Sequence, residues 1–285
     1  MKKNLFLYIS IGVASLGAYL YFFRRGGSTK SINWNETPNF FTTTNGINLF
    51  ELGKKVGITM SRNKGISSSG YSANKYQQNK KNVKVYWAVY DITNDSLIEA
   101  SSNASKTVYG ASVPKVLVAS AALSNNGGKL PTSADYSKVI QLLVKSNNDV
   151  WTPIQNIAGG KDAVNNWAKK MGYGMQPARN GGNNASALGM SKFWRDVCKN
   201  NFEGAEVIYR TTASCQTSGA RSRKYMPTSV YMGGKTGTYN ASNHDSCWIQ
   251  YQDKFYSITV LTELGASGSD VIACMFRGLF DEYIR

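Results

Sequence analysis

A serine followed three residues later by a lysine places a hydroxyl beside an amine on one face of a helical turn. That spacing occurs once in a suggestive setting, Ser112 and Lys115 within YGASVPKVLVASAAL, residues 109–123. Pro114 fits a first helical turn, where the amide it lacks has no partner anyway. The run Val116-Leu117-Val118-Ala119 follows, and Asn125-Asn126-Gly127-Gly128 supplies a stop, so a buried helix is expected from Ser112 to about residue 125. Free backbone amides at such a helix start favour developing negative charge. The chemistry implied is a nucleophilic hydroxyl with an amine as its base. One Ser-x-x-Lys is common, so its meaning depends on what else the chain carries.

Two further elements follow in order. Ser146-Asn147-Asn148 lies in QLLVKSNNDVW after an apolar helical stretch, and Lys235-Thr236-Gly237 lies in the strand-like VYMGGKTGTYN. S-x-x-K, then S-x-N, then K-T-G is the signature of penicillin-recognising serine enzymes. The chain resembles that superfamily, most closely its class A β-lactamase-like branch. KVYWAVYDITNDSLIEA resembles the family's opening hairpin, and KSNNDVWTPIQNIAGGKDAVNNWAKKMG its loop and helices around S-x-N. The resemblance covers roughly residues 83–285, about two-thirds of the chain.

The resemblance implies roles for these positions. Ser112 attacks a carbonyl, and Lys115 takes its proton if burial and the nearby Lys235 lower its proton affinity. Ser146 relays the proton to the leaving nitrogen, and Asn148 holds the substrate amide. Lys235, Thr236 and Thr238 meet the substrate carboxylate, and Gly237 leaves room for the acyl group. Backbone amides of Ser112 and Thr238 form the oxyanion hole, whose donors each typically contribute about 100- to 1000-fold in rate. No metal or other cofactor is implied, and no Cys/His metal spacing exists.

The chain departs from the family pattern in three places. Only thirty residues separate Lys115 from Ser146, so the helical lobe must be trimmed. Asn147 stands where the family has aspartate. Class A enzymes carry a glutamate on a loop after S-x-N that activates the deacylating water. This chain has no glutamate between Glu99 and Glu203, and the corresponding loop, residues 172–184 (GYGMQPARNGGNN), has no carboxylate. An acyl-enzyme is therefore expected to hydrolyse slowly, unless Asp149 or Asp162 activates water instead. His244, the only histidine, would have to serve any Ser-His-Asp triad.

The elements that must position these residues read as follows. Residues 84–92 and 97–100 form two strands around Thr93-Asn94-Asp95-Ser96, and residues 112–217 are mainly helical. Met190, Phe193, Trp194 and Val197 recur at helical spacing, a core stripe. Residues 231–239, 246–251 and 255–261 read as strands, and residues 270–284 as a closing helix. Strands at both chain ends with helices between imply an α/β (α+β) fold of the β-lactamase/D,D-peptidase type: one antiparallel sheet built from both ends, flanked by helices, with the cleft at the junction. The domain plan is 1–25 an anchor, 26–82 a polar linker with a short helix near 47–56, and 83–285 the acyl-enzyme domain. Residues 61–82 are almost devoid of apolar side chains and are expected as a mobile loop.

The 285 residues suit one substantial domain with an extension, and the 42% hydrophobic content is ordinary. The net charge of +16, with 33 basic against 17 acidic residues, favours anionic partners. No signature of a nucleic-acid module accompanies it, so nucleic acid is not expected. Residues 5–23 carry no charge, and at about 1.5 Å per residue such a helix nearly spans a hydrocarbon core of roughly 30 Å. An uncleaved membrane helix is favoured over a signal peptide, because the apolar run continues past the poor cleavage site Leu16-Gly17-Ala18. Basic residues flank the run on both sides, so charge does not orient it. The envelope substrate implied by the resemblance puts the domain on the extracytoplasmic side. Cys198, Cys215, Cys247 and Cys274 allow two disulfides or four buried thiols.

Three functions follow as expectations. The first is a membrane-anchored serine hydrolase or acyltransferase acting on D-Ala-D-Ala-type peptidoglycan stem peptides. The second is a β-lactamase hydrolysing β-lactams. The third is an acylated sensor or weakly catalytic binding domain on a bacterial or virion membrane.

Overall fold

Val85–Asp91 (β1), VYWAVYD, is buried along nearly its whole length, as its run of β-branched and aromatic residues requires of a strand covered on both faces. It pairs antiparallel with Ser96–Ala100 (β2) on one side and with Lys254–Thr262 (β7) on the other. Ser242–Tyr251 (β6) and Tyr231–Tyr239 (β5) complete a five-stranded sheet of order β2-β1-β7-β6-β5. The sheet thus joins both ends of the domain, as expected. These elements belong to a computed structural model, which describes residues 40–285. The expected membrane helix at 5–23 lies outside the described residues, and no described helix is long and apolar enough to cross a membrane.

One face of the sheet carries the C-terminal helix Gly268–Tyr283 (α9), whose Val271, Met275, Phe276, Leu279 and Phe280 pack on Val89, Ile249 and Ile258. The other face is covered by Ala187–Cys198 (α7), which buries the expected Met190, Phe193, Trp194 and Val197. Trp194 Nε1 donates to Ser246 Oγ at 2.7 Å, tying α7 to β6. Ala205–Thr212 (α8) follows, and Trp248 of β6 donates from Nε1 to Thr212 Oγ1 at 3.1 Å.

The helical lobe holds Leu49–Lys55 (α1), Lys115–Ser124 (α3), Ser133–Val144 (α4), Trp151–Ile157 (α5) and Lys161–Lys170 (α6). Every residue of α3 from Lys115 to Leu123 is buried, which is the mark of a helix at the centre of a lobe rather than on its surface. The helix begins at Lys115 rather than Ser112, because Pro114 sits at its N-cap and residues 111–114 form a tight turn.

Residues 61–82 are not the mobile loop expected from their polarity. They hold Ala73–Lys80 (α2), which docks on α9 through one buried ring, Tyr76. Gly278 of α9 makes this possible, since a Cβ there would come within 2.2 Å of the Tyr76 ring. Residues 64–68 are also bonded along their backbone to 223–230: Gly65 N to Val230 O, Ile66 N to Arg223 O, Ser67 N to Met226 O and Ser68 N to Lys224 O. Main-chain pairing supplied what side-chain composition did not advertise. Replacing Tyr76 by alanine is expected to destabilise the domain by about 3 kcal/mol in urea unfolding, the usual cost of emptying a buried aromatic site. A midpoint equal to wild type would mean that α2 is dispensable to the fold.

Candidate active site

Ser112 stands in the turn between a short strand, Val108–Tyr109 (β3), and α3. Ala111, immediately before it, has φ +50°, and Ser146 has φ +62°. Left-handed backbone at non-glycine residues costs roughly 1–3 kcal/mol each and persists only where the surroundings fix it. Around Ser112 the fixing elements are clear. Val113 N bonds to Gly110 O at 3.0 Å, and Gly110 N bonds to Asn183 O at 2.7 Å. The ring of His244 on β6 completes the brace: Nδ1 accepts from Thr262 N at 3.1 Å, so the Nε2 proton goes to Tyr109 O at 2.8 Å. Burial holds this imidazole neutral by lowering its pKa. Both ring nitrogens are spent on backbone, so His244 is a brace for the nucleophile's strand and no Ser-His-Asp triad exists.

Lys115 is fully buried as the first residue of α3. Its Nζ lies 2.7 Å from Ser146 O, 3.3 Å from Ser146 Oγ and 2.6 Å from Asn148 Oδ1. Lys235 on β5, equally buried, donates to the same Ser146 Oγ at 2.8 Å and to Thr236 O at 2.9 Å. One hydroxyl therefore bridges two ammonium groups. No hydrogen bond joins the Ser112 hydroxyl to either lysine. Desolvation lowers the Lys115 pKa to about 7, with the positive charges of Lys235 and Arg179 adding to it. Desolvation likewise lowers Lys235 to about 8.

Asn147 has its own task. Its side chain accepts from Asp149 N at 2.9 Å and its amide N bonds to Gln141 O at 3.1 Å, fixing the turn that gives Ser146 its left-handed backbone. The side chain also donates from Nδ2 to Gln141 Oε1 at 3.4 Å, a bond that an aspartate could not make.

The eight residues picked from sequence come together around one cavity and the hydrogen-bonded chain beside it. Ser112, Asn148 and Thr238 line an open cavity of about 400 Å³. Lys115, Ser146 and Lys235 form the hydrogen-bonded chain beside it. Thr236 is buried, and its hydroxyl is paired with Thr217 Oγ1 at 2.5 Å rather than left free for a carboxylate. Gly237 makes room for the turn that carries the nucleophile. A Cβ there would lie 2.8 Å from Gly110 O and 2.9 Å from Ser112 N, so only glycine lets β5 reach the turn.

Two arginines escaped the sequence reading. Arg221 donates from Nη2 to Thr238 Oγ1 and from Nε to Ser269 Oγ at 3.3 Å, adding a cation on the β5 side. Arg179 lies in the loop 172–184, which the strand Asn184–Ala185 (β4) ties to β3 beside the nucleophile. Gln155 clamps that loop, accepting from Arg179 N at 2.7 Å and donating to Arg179 O at 3.3 Å. Neither arginine belongs to a motif, so only proximity in space identifies them.

No Asp or Glu lines the cavity among the described residues; Asp149 and Asp162, the proposed water activators, are exposed and stand outside its lining. The four cysteines are free, buried thiols. Among the described residues no acidic, histidine or cysteine cluster suits a metal ion.

The Beta-lactamase2 profile, that of a β-lactamase enzyme family, matches residues 154–275. That span includes Lys235-Thr236-Gly237 but not Ser112, Lys115 or Ser146. A sequence comparison with curated proteins returned no match. Solved structures similar to this chain include a β-lactamase from Chitinophaga pinensis, at 16% identity and TM-score 0.62, covering 73% of this chain and 98% of that one. The TLA-3 extended-spectrum β-lactamase is similar at 18% identity and TM-score 0.63, covering 73% and 95%. The L2 protein complexed with relebactam is similar at 12% identity and TM-score 0.60, covering 68% and 89%. At these identities the likeness is one of fold. The profile match and the shared fold support a serine hydrolase of the β-lactamase and penicillin-binding superfamily.

Proposed function

We propose that this chain is a membrane-anchored serine acyl-enzyme of the bacterial envelope type, acting on peptidoglycan stem peptides that end in D-Ala-D-Ala. The observation that carries this reading is the pairing of a buried two-lysine relay beside Ser112 with a cavity wall that offers Arg179 and no carboxylate. Acylation needs only what the relay offers. The Ser112 oxygen bonds to the carbonyl carbon while its proton passes to Lys115. The bond from that carbon to nitrogen then breaks, and the nitrogen takes a proton through Ser146. Lys115 must be neutral to accept, and its lowered pKa makes that form abundant near pH 7. Lys235, Thr238 and Arg221 meet the substrate carboxylate, and the amides of Ser112 and Thr238 receive the oxyanion.

Deacylation needs a group that takes a proton from water, and the cavity wall offers none of the usual carboxylate kind. That favours passing the acyl group to an amine, or holding it, over fast hydrolysis. A second reading, β-lactam hydrolysis, is supported by the β-lactamase profile and by the β-lactamases among the similar structures. It would require Lys115 to activate water. The apolar residues 5–23 support an anchor, and a peptidoglycan substrate puts the domain outside the cytoplasm.

Exposure to benzylpenicillin is expected to add one drug mass to the intact protein, an adduct that persists for hours and is lost in Ser112→Ala. Turnover of the drug with only a transient adduct would favour the β-lactamase reading. D-alanine release from a stem pentapeptide would separate an enzyme from a sensor. The acylation rate should follow a bell-shaped pH profile. It rises as Lys115 becomes neutral near pH 7 and falls as Lys235 loses its charge near pH 8. A flat profile across that range would remove Lys115 as the base. Cell fractionation is expected to find the full chain in membranes and a chain lacking residues 1–25 in the soluble fraction.

A further inference from the structure

Arg179 is a cation with nothing of opposite charge to meet. Its Nη1 donates to Asn148 O at 3.2 Å and to Thr152 Oγ1 at 3.3 Å, and its guanidinium lies 5.5 Å from the Trp151 ring centre. It forms no ion pair among the described residues, although Arg195 and Arg210 each find a carboxylate. It is only partly buried and it lines the same cavity as Ser112. In that wall the buried Nε1 of Trp151 also has no hydrogen-bond partner. Two donors, one of them charged, thus stand on the Asn148 side of the nucleophile. Lys235, Thr238 and Arg221 stand on the β5 side.

This arrangement is held in place. Gln155 grips the backbone of Arg179, Asn165 accepts from Ala178 N at 3.1 Å and donates to Gly181 O at 2.7 Å, and β4 anchors the end of the loop. A guanidinium on a loop held this way, lining a cavity without acidic residues, matches a carboxylate in charge.

We propose that Arg179 forms a second anion subsite that selects acyl donors carrying a carboxylate on the acyl side of the scissile carbonyl. The β5 side takes the carboxylate of the leaving group, so the preferred substrate is anionic at both ends. This inference rests on the acyl-enzyme reading above and names the substrate class of that site.

Carbenicillin and benzylpenicillin test it, because they differ by one carboxylate on the side-chain carbon next to the amide. The readout is the ratio of their second-order acylation constants, which cancels any general loss of active protein. Arg179→Gln is expected to lower the carbenicillin-to-benzylpenicillin ratio about tenfold, a modest value for a charged contact open to solvent. An unchanged ratio overturns the proposal. The same pair measured by equilibrium binding in Ser112→Ala, with and without Arg179→Gln, removes the covalent step. If wild type is acylated by neither drug, the acyl-enzyme reading fails, and the binding ratio still decides the subsite. A binding ratio that does not move, or binding of neither drug, overturns it.

Discussion

Two ammonium groups, both shut away from water, share one hydroxyl oxygen. Lys115 and Lys235 converge on Ser146 Oγ at 3.3 and 2.8 Å, and this contact sets the terms for the rest of the site. Burying one charge is costly, and burying two like charges side by side is more so. The protein relieves the cost by lowering the proton affinity of both amines and by giving Lys115 the carbonyl of Ser146 and the Asn148 side chain as partners. The amine best placed to act as a base is also the one most easily made neutral.

Holding that contact requires unusual backbone. Ser146 can present both its carbonyl and its hydroxyl because its φ is positive, and Asn147 secures the turn. Strand β5 brings Lys235 in from the sheet, and Gly237 lets that strand close on the Ser112 turn without a side chain between them. His244 fixes the carbonyl of Tyr109 from below. The helical lobe and the sheet thus meet at a seam of backbone contacts, with the cavity opening beside it.

Charge gives the site its character. The cavity and its surroundings collect Lys115, Lys235, Arg179 and Arg221, while the nearest buried carboxylate, Asp245, turns to Ser222 N and Cys247. Desolvation raises the pKa of Asp245. On a chain of net charge +16, such a site draws anions by long-range attraction as well as by contact. The same lack of acidic groups leaves the cavity wall without a carboxylate to activate water.

The strands and the closing helix were legible from alternation and apolar runs, and three motifs marked the chemistry, because each depends on residues close together in the chain. Residues 84–100 and 231–239 fold nearly as their patterns suggest, and so do 270–284. Composition misled at 61–82, where the Tyr76 ring, ion pairs of Lys75 with Asp270 and of Lys80 with Glu282, and main-chain bonds anchor a polar segment. Sequence also did not show the contacts of Thr236 and Gly237, whose neighbours Thr217 and Gly110 lie elsewhere along the chain. Arg179 and Arg221 belong to no pattern and became visible only beside Ser112 and Thr238. The sequence by itself marked the three motifs and showed that the loop 172–184 carries no carboxylate for activating water in deacylation. Tertiary structure alone decided the buried convergence of two amines and the cation that faces them, since burial and charge proximity are properties of space and not of spacing.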